Sequence, residues 1–172
     1  NGIYVISGTG KVYNNMVNNL SAFKVGIING INTESVGILD VYNNFITDMF
    51  APNATNAATA ITGINILSGT TLNVSHNTID FGSASTTSTN TASFGMSGIN
   101  WVGGALNLRN NIINVQGIAT GTGTIVAVRR STAGTAGVKP TGFQANNNIY
   151  YVNPGANNYL YAEGVLNFPS GS

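Results

Sequence analysis

The chain reads as an all-β protein, a parallel β-helix (a solenoid) of about five coils, on three observations. A phrase built on paired asparagines recurs along it. Between recurrences, apolar and polar residues alternate with a period of two. The composition lacks what helices need: of 172 residues, 6% are charged and 42% hydrophobic, with 27 Asn, 22 Gly and 19 Thr. Asn, Gly and Thr are poor helix formers, and the Ala/Glu/Lys/Leu/Arg set that builds charged helical surfaces is sparse. An average soluble domain carries roughly 25% charged residues, about four times the share here.

The phrase sets the coils. It reads VYNNMV at 12–17, VYNNFI at 41–46, VSHNTI at 74–79, LRNNII at 108–113 and QANNNI at 144–149. Its second Asn is Asn15, Asn44, Asn77, Asn111 and Asn147, at intervals of 29, 33, 34 and 36 residues. A second phrase precedes it in each unit: Gly2-Ile3-Tyr4-Val5, Gly26-Ile27-Ile28, Gly63-Ile64-Asn65-Ile66 and Gly98-Ile99-Asn100-Trp101. The fifth copy, Ile125-Val126-Ala127-Val128, has no Gly, and a sixth strand begins at Tyr159-Leu160-Tyr161-Ala162. The order of the two phrases never changes, which marks a repeat architecture.

Each element follows from local chemistry. Leu72 and Val74 alternate with Asn73 and Ser75, and Leu106 and Leu108 with Asn107 and Arg109, as in half-buried strands. The Asn pair breaks the alternation, and one Asn can adopt the left-handed conformation that bends one strand into the next. A buried second Asn must hydrogen-bond, and stacking Asn on Asn from coil to coil supplies the partner. Residues 52–56, 82–91 and 117–124 are small, polar and turn-prone, as surface loops are. A helical repeat fails for want of apolar residues at i, i+3, i+4 and i+7, and a propeller blade needs about 40 residues or more.

Composition also excludes functions. Six scattered Lys and Arg make no nucleic-acid patch. The chain has no Cys, so no disulfide framework and no thiolate zinc site. His76 is the single histidine and stands in for the first Asn of its turn, so no metal or cofactor is expected. Residues 49–79 carry no charge but are interrupted by Pro52, Asn53, Asn56, Gly63, Asn65, Gly69, Asn73 and His76, so no membrane span is expected. With no basic region or apolar signal core at Asn1-Gly2-Ile3-Tyr4, residues 1–172 are expected to form a single β-helix segment of a longer protein.

The Gly-Ile strand followed by apolar-x-Asn-Asn-x-Ile resembles the right-handed parallel β-helix repeat of the pectin-lyase-like superfamily, over residues 2 to 162. That resemblance implies the handedness. It also implies a choice of functions, since the superfamily holds polysaccharide lyases, hydrolases, epimerases, adhesins and tailspikes. Residues 147–160 look further like large secreted repeat proteins of Bacteroidetes exported by type IX secretion. This implies a bacterial secreted or cell-surface location, with a surface glycan, the secretion machinery or neighbouring domains of the same chain as partners.

Lyases of this fold use an Arg or Lys base with calcium-holding carboxylates on one outward face, and hydrolases need paired carboxylates at set separations. Aligning the coils puts Lys11, Asp40, Asn73, Asn107 and Phe143 in one outward row, and Tyr13, Tyr42, Ser75, Arg109 and Ala145 in the next. A third row holds Asn18, Thr47, Asp80, Asn114 and Tyr150. With Glu34, Asp40, Asp48, Asp80 and Glu163 as the whole carboxylate supply, none of these rows gathers a pair. The sequence therefore argues against catalysis within this segment and for a structural or adhesive module. The alternative is a carbohydrate-active or glycan-binding helix whose catalytic residues lie elsewhere. Candidate glycan contacts are Tyr13, Tyr42 and Arg109, with Arg129 and Arg130, of which one is expected to point outward and one to lie at a turn. Trp101 falls on the core side by alternation.

Overall fold

A computed structural model describes residues 1–24, 26–54, 60–82, 86–90, 95–121, 123–131, 141–163 and 166–169. These residues form strands and no helix, so none of them belongs to a helix long and apolar enough to cross a membrane. The strands stack as a parallel β-solenoid with three main sheets.

Sheet A contains, in spatial order, Ile3–Val5, Ile28–Thr33, Ile61–Ile66, Met96–Trp101, Ile125–Arg130 and Asn158–Glu163, closed by Leu166–Pro169. Sheet B holds Gly8–Tyr13, Val36–Tyr42, Gly69–Ser75, Ala105–Arg109 and Phe143–Asn146. Sheet C holds Met16–Val17, Phe45–Thr47, Thr78–Phe81, Ile112–Val115 and Ile149–Val152. Two short pairs complete the stack: Leu20–Ser21 with Met49–Phe50, and Thr86–Asn90 with Ile118–Gly121. The stretches 82–91 and 117–124 thus contain a paired strand each, where loops were predicted. Thr55, Asn56, Thr91, Thr122 and residues 83–85 lie outside the described residues. Sheets B and C have five rungs each, and five rungs enclose about four full turns, one fewer than the predicted five coils.

The core is a set of aliphatic rows. Leu39, Leu72 and Leu106 stack in sheet B beside Val41, Val74 and Leu108, and Ile46, Ile79 and Ile113 stack in sheet C. All are buried. Each such side chain contributes about 1.5–3 kcal/mol on leaving water. A one-residue slip would send a whole strand's apolar set outward, so the rows fix the register.

Sheet A has a further constraint. Gly30, Gly63 and Gly98 lie one above another, followed by Ala127. A Cβ on Gly63 would stand 2.6 Å from the Gly98 carbonyl oxygen and 2.8 Å from Ile79 Cγ2. Sheet A therefore approaches sheet C too closely for a side chain there. This corrects the second repeat phrase: in the second coil the strand glycine is Gly30, within Ile28–Thr33, and Gly26 precedes the strand. Gly30-Ile31-Asn32 matches Gly63-Ile64-Asn65 better than Gly26-Ile27-Ile28 does.

Candidate functional site

The bend between sheets B and C carries a continuous row of hydrogen-bonded amides. Asn14, Asn43, His76, Asn110 and Asn147 take φ of 53–55°, the left-handed region. The residue after each points inward. The backbone N–H of Asn15, Asn44, Asn77 and Asn111 donates to Oδ1 of Asn44, Asn77, Asn111 and Asn148 at 3.0–3.1 Å. The Nδ2 of the same residues donates to that same oxygen at 2.9–3.0 Å. In turn, Nδ2 of Asn44, Asn77, Asn111 and Asn148 donates to the carbonyls of Val12, Val41, Val74 and Leu108. Buried amides must be paired, and here the interior rungs Asn44, Asn77 and Asn111 each link three successive coils.

Four of the five predicted turn residues, Asn15, Asn44, Asn77 and Asn111, occupy this ladder. The fifth does not: Asn147 takes the left-handed outer position and Asn148 is the rung, 37 residues beyond Asn111. The run Asn146-Asn147-Asn148 admits both alignments, and strand register decides between them. The same one-residue shift corrects the outward rows. Asn107 lies opposite Gln144, Arg109 opposite Asn146, and Asn114 opposite Tyr151. Phe143, assigned to the surface by alignment, packs inside against Trp101 and Tyr161, with ring centroids 5.5 and 5.6 Å apart. His76 substitutes for the outer Asn, and its Nε2 lies 3.0 Å from Asn110 Nδ2.

The outward face of sheet B carries the predicted contact residues. Tyr13 and Tyr42 stack with centroids 5.0 Å apart and planes 4° from parallel. Beside them runs an amide relay: Asn107 Nδ2 donates to Asn73 Oδ1 at 2.8 Å, and Asn73 Nδ2 to Asp40 Oδ1 at 2.9 Å. Arg109 is exposed, and among the described residues it forms no ion pair. Two shallow depressions flank it. One, of about 260 Å³, is lined by Arg109, Gln144, Ala145 and Asn146. The other, of about 220 Å³, is lined by Asn73, Ser75, Asn107 and Arg109. Tyr13, Tyr42 and Arg109 thus share one face.

Arg129 and Arg130 do not join them. Arg129 is buried within sheet A and donates to Thr124 Oγ1 at 2.5 Å. Burial pushes its guanidinium down to about 9, which leaves it charged at neutral pH. It cannot meet a glycan. Arg130 is partly buried, 3.7 Å from Glu163 and with Cζ 5.2 Å from the centre of the Trp101 ring. Trp101 itself is in the core, as alternation implied.

The carboxylates are dispersed. Asp40 is on sheet B and Asp80 on sheet C, where Asn114 Nδ2 reaches it at 2.6 Å. Glu34 accepts from Tyr4 and Glu163 from Tyr161, and no two carboxylates are register partners. Among the described residues, no three His, Cys, Asp or Glu gather as metal ligands would.

One polar row escaped the sequence reading. Asn100 Nδ2 donates to Asn65 Oδ1 at 2.8 Å and Asn65 Nδ2 to Asn32 Oδ1 at 2.7 Å, on sheet A, all three buried. The signal was the repeated Gly-Ile-Asn at 30–32, 63–65 and 98–100, masked by the misplaced second copy. No family model, no curated protein and no solved structure matches this chain.

Proposed function

We propose that the chain is a structural, adhesive β-solenoid module of a secreted or cell-surface bacterial protein, and that sheet B is the face it offers to a surface glycan. The observation that carries this is the alignment of Tyr13 and Tyr42, the Asp40–Asn73–Asn107 relay and Arg109 on one face of a rigid stack. Flat aromatic rings suit sugar C–H faces, amides suit hydroxyls, and neither has to reorganise on binding. The dispersed carboxylates favour holding over cleaving. The sequence resemblance to the pectin-lyase-like helices and to type IX secretion cargo supports the location and points the same way.

The test is a glycan panel read by amide chemical shifts of the labelled chain, alongside an assay for released reducing ends or unsaturated products. Shifts confined to sheet B, lost in Tyr42→Ala and Arg109→Ala, with no product released, support the proposal. Shifts elsewhere, or none across a broad panel, overturn the choice of face. Product release by the unaltered chain that Asp40→Asn abolishes would move the chain to the alternative class, a carbohydrate-active enzyme.

A further inference from the structure

We infer that the N-terminal end of the stack is a docking surface for one more β-coil that carries its own Asn turn. The Asn ladder has a direction. Each rung's Oδ1 receives two hydrogens from the rung before it, at Asn44, Asn77, Asn111 and Asn148 alike. Asn15 Oδ1 receives none from the described residues. Each later rung also sends Nδ2–H to an apolar residue's carbonyl in the preceding coil. Asn15 makes no such bond: among the described residues its Nδ2 reaches only Asn44 Oδ1 and the Tyr13 carbonyl two residues back, the latter a bond that Asn44 and Asn77 also make.

Around this open rung is a depression of about 280 Å³, lined by Gly2, Ile3, Asn15, Met16, Val17 and Leu20. It lies where a further coil's inward side chains would continue the core rows. The strands at this end, Ile3–Val5, Gly8–Tyr13 and Met16–Val17, each pair on one side only. Natural proteins blunt such edges with charge or proline. These three strands hold Lys11 as their single charged residue and no proline.

The occupant must present a backbone N–H and an amide N–H together over Asn15 Oδ1, with three parallel strands at the spacing of this stack. A coil of this same type does so. A second copy stacked head to tail is the poorer fit. Asn148 would offer the donors, but the second copy's Ile3–Val5 would then have to pair with Ile125–Arg130, a place that Asn158–Glu163 already holds, with Leu166–Pro169 beyond it.

The experiment joins a duplicate of residues 29–61 ahead of Asn1. The join keeps register, because Ile3 lies opposite Ile31 as Ile31 lies opposite Ile64. Docking is expected to slow amide exchange in Gly8–Tyr13 and Met16–Val17 by about tenfold or more. Asn15→Ala in the extended chain is expected to reverse that slowing while Gly69–Ser75 and Thr78–Phe81 stay protected, which separates lost docking from lost folding. Duplicate residues that exchange as a free peptide overturn the inference, and so does docking indifferent to Asn15→Ala. Concentration-dependent protection of the same strands in the unextended chain assigns the end to a second copy and overturns the choice of an added coil.

Discussion

The two asparagine rows make an instructive pair. Both run along the stack, both are buried, and both link the amide of one coil to that of the next. The turn row between sheets B and C makes three bonds per interior step, because each Oδ1 takes a backbone and a side-chain hydrogen and each Nδ2 reaches a second coil. The sheet A row makes one side-chain bond per step, since its backbone is already engaged in the sheet ladder. The same residue therefore carries different weight according to what the backbone beside it lacks. At the bend the inner residue's N–H meets no backbone carbonyl, and the next rung's side chain supplies the acceptor, while the outer residue's N–H still reaches a carbonyl of the next coil. Within a strand the backbone is satisfied, and the tight requirement is space at the neighbouring glycine.

The largest effect expected is from Asn77→Ala. It strips the acceptor from Asn44, one of the two donors from Asn111 Oδ1 and the partner of the Val41 carbonyl, so a loss of about 3–5 kcal/mol should appear in chemical denaturation. Gly63→Ala comes next at about 1–3 kcal/mol, through the clash with the Gly98 carbonyl and Ile79. Asn65→Ala should cost about 1–2 kcal/mol, because it unpairs one amide on each side and leaves the strand ladder intact. If Asn65→Ala proves as damaging as Asn77→Ala, the distinction between the rows collapses.

The smallest effect concerns the last coil, where both rows run out. Burial pushes the Tyr150 phenol up to about 12, and burial together with the Glu163 carboxylate raises Tyr161. A raised phenol stays protonated in the folded chain where the unfolded chain ionises. Its contribution is intact below about pH 10 and is lost as pH climbs towards 12. Buried Arg129 acts in the opposite sense, since a lowered cation favours the folded state as pH rises above about 9. Comparing the chain with Tyr150→Phe isolates the phenol. Between pH 10 and 12 the variant should lose less stability, by something on the order of 1 kcal/mol after allowance for solvent screening. Equal losses would remove Tyr150 from the account.

Much of the architecture was legible because two signals repeat. Asn15, Asn44, Asn77 and Asn111 mark the bend, and alternation around Leu72 and Leu106 marks the inward face. The stack of Tyr13 on Tyr42 followed from their shared place in the repeat, and the structure has it. What failed lay where the repeat is degenerate. Three consecutive asparagines hid which one is the rung, and a one-residue error then misplaced Phe143, Ala145 and Tyr150 together. Arg129 was misjudged because nothing local says that the outward side of sheet A is buried; that depends on what packs over it.

The sequence by itself determined the strand class, the bend positions and the rows that must be inside, since these rest on period, backbone preference and hydrophobic transfer within each coil. Tertiary structure alone decided the register of the last coil, the contact that demands Gly30, Gly63 and Gly98, and the direction of each hydrogen-bonded row. These depend on distances between residues some thirty positions apart. A chain read one coil at a time holds the donors and acceptors, and stacking decides which of them meet.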